Sequence, residues 1–399
     1  MNRSTNRSMS HPMIRRRSLA LMLLAGLVNR SQADTLRWTD YVPKYPALYG
    51  DTYISSFSGK SSFDAQGNKV AGAIPTYGND SRFSNDTFGT TLTWFFPFFE
   101  AAHLPLVSSR LWTASAHLAY QRGDTQGRIR QVQTENGIVP AALGIEDMRL
   151  EWGPVLVGSS DWREQRARPL SAILRFGINL PIGERNPDSP HNTGDNHWSL
   201  QARIGGRWQA LPSVALSAEA GVRRHGQNEE TAFGGQEPRR AGQDRWLGVN
   251  AVWQVRPMFY VELAGSQRRG QPNQYQQLRF TANPPAAGVG MESFPDPSAQ
   301  FDNGTRQTEA RVGLHYFVAP QLALGVAWEH PVSGQSGEYD QRYLQQTRGC
   351  TGTGGCNPQA NGTDRVNGLG TARVLADDRW LVTATWNFRQ GDFWLGNQP

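Results

Sequence analysis

Between residues 170 and 180 the side chains alternate: Leu170, Ala172, Leu174, Phe176, Ile178 and Leu180 on one face, with Ser171, Arg175 and Asn179 on the other. Period two over about ten residues predicts a β-strand long enough to cross a bilayer, with one face to lipid and one to a lumen. The pattern returns at Trp198 to Trp208, Val214 to Val222, Leu247 to Val255, Phe259 to Leu263, Ala310 to Tyr316, Leu322 to Trp328 and Trp380 to Phe388. Less regular runs begin at Leu48, Phe88, Trp112 and Met148. The total is about twelve strands, and even numbers are the rule in single-chain bacterial barrels.

The links between runs alternate in length. Leu211-Pro212, Arg256-Pro257 and Ala319-Pro320 mark tiny connections, whereas residues 181–196, 225–243, 269–304 and 331–378 form long ones. Short periplasmic turns and long outer loops produce this rhythm in an outer-membrane barrel. Aromatics gather near the strand ends beside the short turns, among them Trp94, Trp112, Trp152, Trp208, Trp253, Tyr316 and Trp386. Such placement predicts an interfacial girdle, which β-propensity alone does not explain. The fold class is therefore all-β, a transmembrane antiparallel barrel.

Composition changes the picture in two places. Only 38% of the 399 residues are hydrophobic, and the one long apolar run, Leu19 to Val28, lies near the N-terminus. Arg15-Arg16-Arg17 precede it and Ser31-Gln32-Ala33 follow it, the plan of a secretory signal cleaved between Ala33 and Asp34. The expected organisation is a signal peptide over 1–33 and a single barrel domain over 34–399. The arginine run also has a faint twin-arginine look, and the absence of a cysteine after the apolar run argues against a lipoprotein.

The second change concerns charge. The chain carries a formal +6, but residues 1–33 hold six arginines and no acid. The remainder therefore balances at 34 basic and 34 acidic residues, which removes the electrostatic case for nucleic acid as a partner.

In this register Arg149, Arg175, Arg203, Arg207, Arg223, Arg311 and His315 point to the lumen. So do Asp147, Glu151, Glu219, Glu262, Glu309 and Glu329. These charges either line a water-filled solute path or fill a narrow barrel by pairing across strands. Cys350 and Cys356, separated by Thr-Gly-Thr-Gly-Gly, are expected to form a local disulfide in an exported protein rather than a metal site. Loop acids at Asp296, Asp302, Glu338 and Asp340 read as solvated charge rather than a calcium site. No nucleophile elbow, zinc-protease motif, phosphate loop or complete dinucleotide fingerprint occurs, so neither cofactor, metal nor enzymatic activity is expected.

Several stretches resemble a known family. Tyr49-Gly-Asp-Thr-Tyr53, Asp64-Ala-Gln-Gly-Asn-Lys-Val70, Gly144 to Pro154, Leu180-Pro-Ile-Gly183 and Asn192 to Trp198 are similar to outer-membrane proteins named for the meta-cleavage pathway of phenol degradation. The resemblance spans roughly 45 to 255. It implies a barrel that passes small, often aromatic or hydrophobic compounds, and it supplies no binding residues to carry over. The loop bearing Cys350 and Cys356, and the extension Arg389 to Pro399 beyond the last strand, depart from it.

The leading expectation is a passive channel for small solutes, in contact with outer-membrane lipid and folded by the barrel-assembly machinery, with no plug domain before the barrel. An outer-membrane lipid hydrolase would need Ser and His together at the lipid-facing rim. A soluble periplasmic binding protein would turn the apolar faces inward.

Overall fold

In the computed structural model the alternating runs become one closed sheet. The structure describes residues 36–41, 47–64, 66–73, 79–97, 111–135, 139–157, 170–184, 193–194, 197–228, 239–240, 243–271, 274–275, 278–280, 292–294, 304–336 and 374–387. Ala33, Asp34, Cys350, Cys356, Phe388 and the loop acids Asp296, Asp302, Glu338 and Asp340 lie outside these residues.

Among the described residues the barrel has twelve strands. They are β1 (Ala47–Gly59), β2 (Arg82–Pro97), β3 (Leu111–Gln126), β4 (Ala141–Ile145 continued by Met148–Val157), β5 (Leu170–Leu180) and β6 (Ser199–Leu211). Then follow β7 (Val214–His225), β8 (Asp244–Arg256), β9 (Phe259–Gly270), β10 (Thr305–Ala319), β11 (Leu322–Gln335) and β12 (Arg379–Asn387). Each strand pairs antiparallel with its sequence neighbours, and β1 closes the ring on β12, with Ile54 opposite Val382. Closure leaves no unpaired edge in the bilayer, the condition for a sheet to span one.

β6 to β7, β8 to β9 and β10 to β11 are joined by two residues each, beginning with Pro212, Pro257 and Pro320. Proline presets the φ that opens such a turn. In the second, Met258 sits at φ 67°, and its carbonyl accepts the Phe317 amide at 2.9 Å.

The faces follow the alternation. Leu200, Ile204, Leu247, Val249, Leu263, Leu314, Val326 and Val382 face outward and are exposed. In water such a band would be an aggregation surface; in a bilayer it is solvated. Trp94, Trp152, Trp208, Trp253 and Tyr316 are exposed at the periplasmic end of this band. Trp198, Trp328 and Trp380 mark its outer end, where Trp328 and Trp380 pair across strands. The barrel thus carries a second aromatic group besides the girdle the sequence predicts.

Three features depart from the sequence expectation. First, β4 is interrupted at Glu146 and Asp147: both halves pair with β3, and the Asp147 Oδ1 accepts the Gly183 amide at 2.9 Å instead of facing the lumen. Second, the lumen is not polar throughout. Its periplasmic end is apolar, built from inward residues such as Tyr49, Phe95, Leu111, Ile173, Val252, Tyr260 and Phe317. Alternation cannot reveal this, because residues apolar on both faces read as a continuous run. Third, the segment Leu36–Tyr41 ahead of β1 lies inside the barrel, where no plug is expected from the sequence.

Outside the ring are a short helix, Arg128–Glu135, and a small sheet of Ser61–Phe63, Lys69–Ala71 and Val374–Leu375 beyond the outer end of the barrel. The Asp377 carboxylate, between that sheet and β12, accepts from the Lys60 and Ser61 amides at 2.5 and 2.7 Å, just beyond the end of β1.

Candidate functional site

The lumen is the interior that the twelve described strands enclose, and buried charge fills its middle. On the β4–β8 wall Arg203 joins two carboxylates, Glu151 at 2.6 Å and Glu219 at 2.9 Å. Gln201 donates to Glu151 at 2.5 Å and accepts from Arg223 at 3.0 Å, while the Trp246 indole donates to Glu219 at 2.8 Å. All of these groups are buried. Ions stripped of water at this depth depend on partners, and here those come from the adjacent strand β7 and from β4, two strands away around the sheet.

A second cluster occupies the β8–β12 wall. Arg311 bridges Glu262 at 2.9 Å and Glu329 at 3.4 Å. His315 lies 3.1 Å from Glu262, Arg379 donates to Glu329 at 3.3 Å, and Asn250 donates to Glu262. Glu309 is on the same inward face, two residues from Arg311 along β10. Arg149 and Arg175 are buried on the β4 and β5 walls, and Arg207 is buried toward the apolar end.

The Leu36–Tyr41 segment lies between these walls and touches both. It forms a tight turn: the Arg37 amide donates to the Asp40 carboxylate at 2.8 Å, and the Asp40 amide donates to the Arg37 carbonyl at 3.0 Å. Arg37 donates to Thr91 of β2 at 3.3 Å, and Thr39 donates to Asp51 of β1 at 3.4 Å. On the other side Tyr41 donates to Glu219, Arg175 approaches Asp40 at 3.7 Å, and Arg207 donates to the Trp38 carbonyl at 3.3 Å. Arg311 donates to the Leu36 carbonyl. The Trp38 ring stacks on His315 at 4.4 Å and meets Phe317 edge-on at 5.9 Å.

Two glycines make room for the segment. A Cβ at Gly205 would stand 2.2 Å from the Tyr41 ring, and one at Gly248 would stand 3.2 Å from Leu36. Tyr41 itself takes a left-handed backbone, φ 60°. Its hydroxyl bond to Glu219 and the bond from Ser171 to its carbonyl hold that costly conformation.

The structure also brings forward residues that sequence reasoning passed over. At the outer mouth His197 and His225 are 3.0 Å apart, His225 is 3.1 Å from Asp244, and Arg268 reaches Asp244 at 2.5 Å. Asp244 and Arg268 were hidden because the apolar alternation fades at strand ends. On the outward face His330 pairs with Asp378 at 2.7 Å. Among the described residues no serine hydroxyl bonds to that histidine, so the arrangement a lipid hydrolase needs is not assembled there.

A closed sheet with apolar residues outside and charge inside defines an outer-membrane β-barrel, and the bacterial outer membrane is where this protein resides. The chain belongs to the family described as "Putative MetA-pathway of phenol degradation", whose sequence profile matches residues 62–340. The match reaches into the loop beyond β11, further than the motifs of the first half suggest. Among solved structures, the COG4313 outer membrane channel from Pseudomonas putida F1 shares the fold, at 12% identity and a TM-score of 0.60 over 88% of this chain and 100% of its own. Looser likenesses are the NanC porin (7% identity, TM-score 0.37, 84% of this chain and 98% of its own) and the transport unit of the autotransporter AIDA-I from Escherichia coli (9%, 0.39, 93% and 97%). No curated protein matches the chain.

Proposed function

We propose that this protein is a passive outer-membrane channel for small solutes, not an enzyme, and that the Leu36–Tyr41 segment occupies its path at rest. The observation that carries this reading is the seating of that segment: it bonds to β1 and β2 on one side and to β5, β6, β7 and β10 on the other, and so crosses the bore. The solute path is lined by Arg149, Arg175, Arg203, Arg207, Glu219, Arg223, Glu262, Glu309, Arg311, His315 and Glu329. The aromatic periplasmic end, with Tyr260, Phe317 and Trp38, together with the family's name, favours small aromatic or hydrophobic compounds as cargo. In this reading the mature chain starts at Asp34 after removal of residues 1–33, forms one barrel domain, closes a Cys350–Cys356 disulfide in an outer loop and is inserted by the barrel-assembly machinery.

The test is conductance in planar bilayers. The chain starting at Asp34 is compared with one lacking 34–41, across a panel of salts and small aromatic acids. Removal of the segment is expected to raise the open probability or step size, and aromatic acids are expected to modulate the current. Inserted barrels that stay silent in both forms would overturn the reading.

A further inference from the structure

On the outer wall, at the end of the barrel that bears the long loops, arginines stand in line on consecutive strands. Arg245 of β8 is opposite Arg269 of β9, and Arg269 is opposite Arg306 of β10. All three face outward and are exposed, as is Arg224 near the end of β7, whose register partner side is the strand of Arg245. Arg245, Arg269 and Arg306, together with Gln335 of β11, which is opposite Arg306, border a cleft of about 370 Å³ that Gly270 and Gly304 also line.

Adjacent strands lie about 4.8 Å apart, so like charges placed directly opposite one another repel. Among the described residues no acidic side chain stands beside them on the same face to offset this. Among the described residues the outward positions next to the arginines are Val222, Leu247, Gln267, Thr308 and Ser333, none of them acidic. Arg245 donates to the neutral Gln243 at 3.2 Å. The opposite wall is built differently: there Arg122 is opposite Asp86, and Asp124 pairs with Arg130 at 2.7 Å. Among the described residues, the carboxylates that balance arginine on one side of the barrel have no counterpart beside the row on the other.

Depth narrows the choice of counter-charge. Arg245 is two residues above Leu247, and Val249, Leu263 and Val312 continue the apolar band below. Two residues of a tilted strand rise about 5 Å, which puts the guanidinium groups at the level of the headgroups of the outer leaflet. In a bacterial outer membrane that leaflet consists of a glycolipid whose diglucosamine headgroup carries phosphates. Guanidinium matches phosphate bidentately, and basic pockets at membrane level bind phosphorylated headgroups in this way.

We propose that the Arg245–Arg269–Arg306 row, with Arg224 at its flank, is a binding site for the phosphorylated headgroup of an outer-leaflet glycolipid, whose acyl chains lie along the apolar wall below. The test uses the refolded chain from Asp34 in detergent, with lipid A as probe. Native mass spectrometry reads the retained lipid, and heat-dependent gel mobility reads the unfolding temperature. Bisphosphorylated lipid A is expected to remain bound and to raise the unfolding temperature, whereas dephosphorylated lipid A is expected to bind about tenfold more weakly or worse.

The R245Q/R269Q/R306Q variant is expected to lose that preference, and R82Q/R122Q on the opposite wall is expected to keep it. Equal retention of both lipids by the unaltered protein would overturn the proposal, and that comparison decides even if the triple variant does not fold. Equal retention of bisphosphorylated lipid A by a folded triple variant would also overturn it. So would equal protection by inorganic phosphate at the same concentration, which would make the row a simple anion site of the loops.

Discussion

At the scale of single residues the buried charges of the lumen depend on their ionic partners. Arg203 serves Glu151 and Glu219 at once, so removing it leaves two buried carboxylates short of a partner. Arg203→Met is expected to cost about 3–5 kcal/mol, read as urea unfolding in vesicles, while Arg203→Met combined with Glu151→Gln and Glu219→Gln recovers most of the loss. Recovery is the informative arm, because it separates uncompensated charge from lost packing.

Outside the membrane the same logic is weaker. Asp64 in the outer loop between β1 and β2 has little burial opposing its charge, and bonds from the Asn68 side chain and the Asn68, Gln66 and Gly67 amides hold its carboxyl below the usual range. Its pKa is depressed in the folded state, so its stabilisation is complete above the unfolded value of about 4 and is lost as pH falls through the folded one. Hydrogen-exchange protection of Gln66 and Asn68 is expected to decline below about pH 4, and Asp64→Asn is expected to abolish that decline at a cost of only about 0.5 kcal/mol. Asp378 behaves alike: against a small burial effect, bonds from His330 and Trp328 keep it ionised.

At the scale of elements the lumen-facing side of a strand must do more than carry charge. β6 presents Ser199, Gln201, Arg203, Gly205 and Arg207 inward, and the break in that polar row at Gly205 is where Tyr41 seats. Gly205→Val is therefore expected to expel the inner segment without unfolding the barrel. A cysteine placed at Thr39, which is buried, reports this: it is expected to resist a membrane-impermeant maleimide in the native background and to react in the Gly205→Val background. Unchanged protection would show that the wall yields instead of the segment. The outward side obeys the bilayer. Val249, midway along β8 and exposed, is expected to tolerate Ala, whereas Val249→Arg costs about 2–4 kcal/mol of folding stability measured in lipid vesicles.

At the scale of the whole molecule the two walls of the barrel differ inside and out. Inside, the β4–β8 and β8–β12 clusters are separate ion networks joined through the Leu36–Tyr41 segment, since Tyr41 bonds to Glu219 of one and Arg311 of the other bonds to the Leu36 carbonyl. Displacing the segment would remove a partner from both networks at once. Outside, among the described residues, the arginine row lies on the β7–β10 arc, so the proposed glycolipid site is on one side of the ring.

The sequence by itself determined the strand count, the membrane-facing side, the short turns at Pro212, Pro257 and Pro320 and the inward direction of Arg203, Glu219, Glu262, Arg311 and His315. Period two along a strand sets which residues share a face, and turns need particular backbone angles; which face meets lipid followed from the alternating long and short links and the aromatics gathered at strand ends. Tertiary structure alone decided which inward charges meet, because Arg203 reaches Glu151 only through the barrel's circumference, with β5 lying between their strands. It also decided that the segment before β1 turns into the lumen. Leu36 to Tyr41 has no periodicity of its own; its position is set by an apolar ring assembled from strands scattered between Tyr49 and Ala323. The outward arginine row was equally out of reach of periodicity, since strand register, not spacing along the chain, brings Arg245, Arg269 and Arg306 side by side.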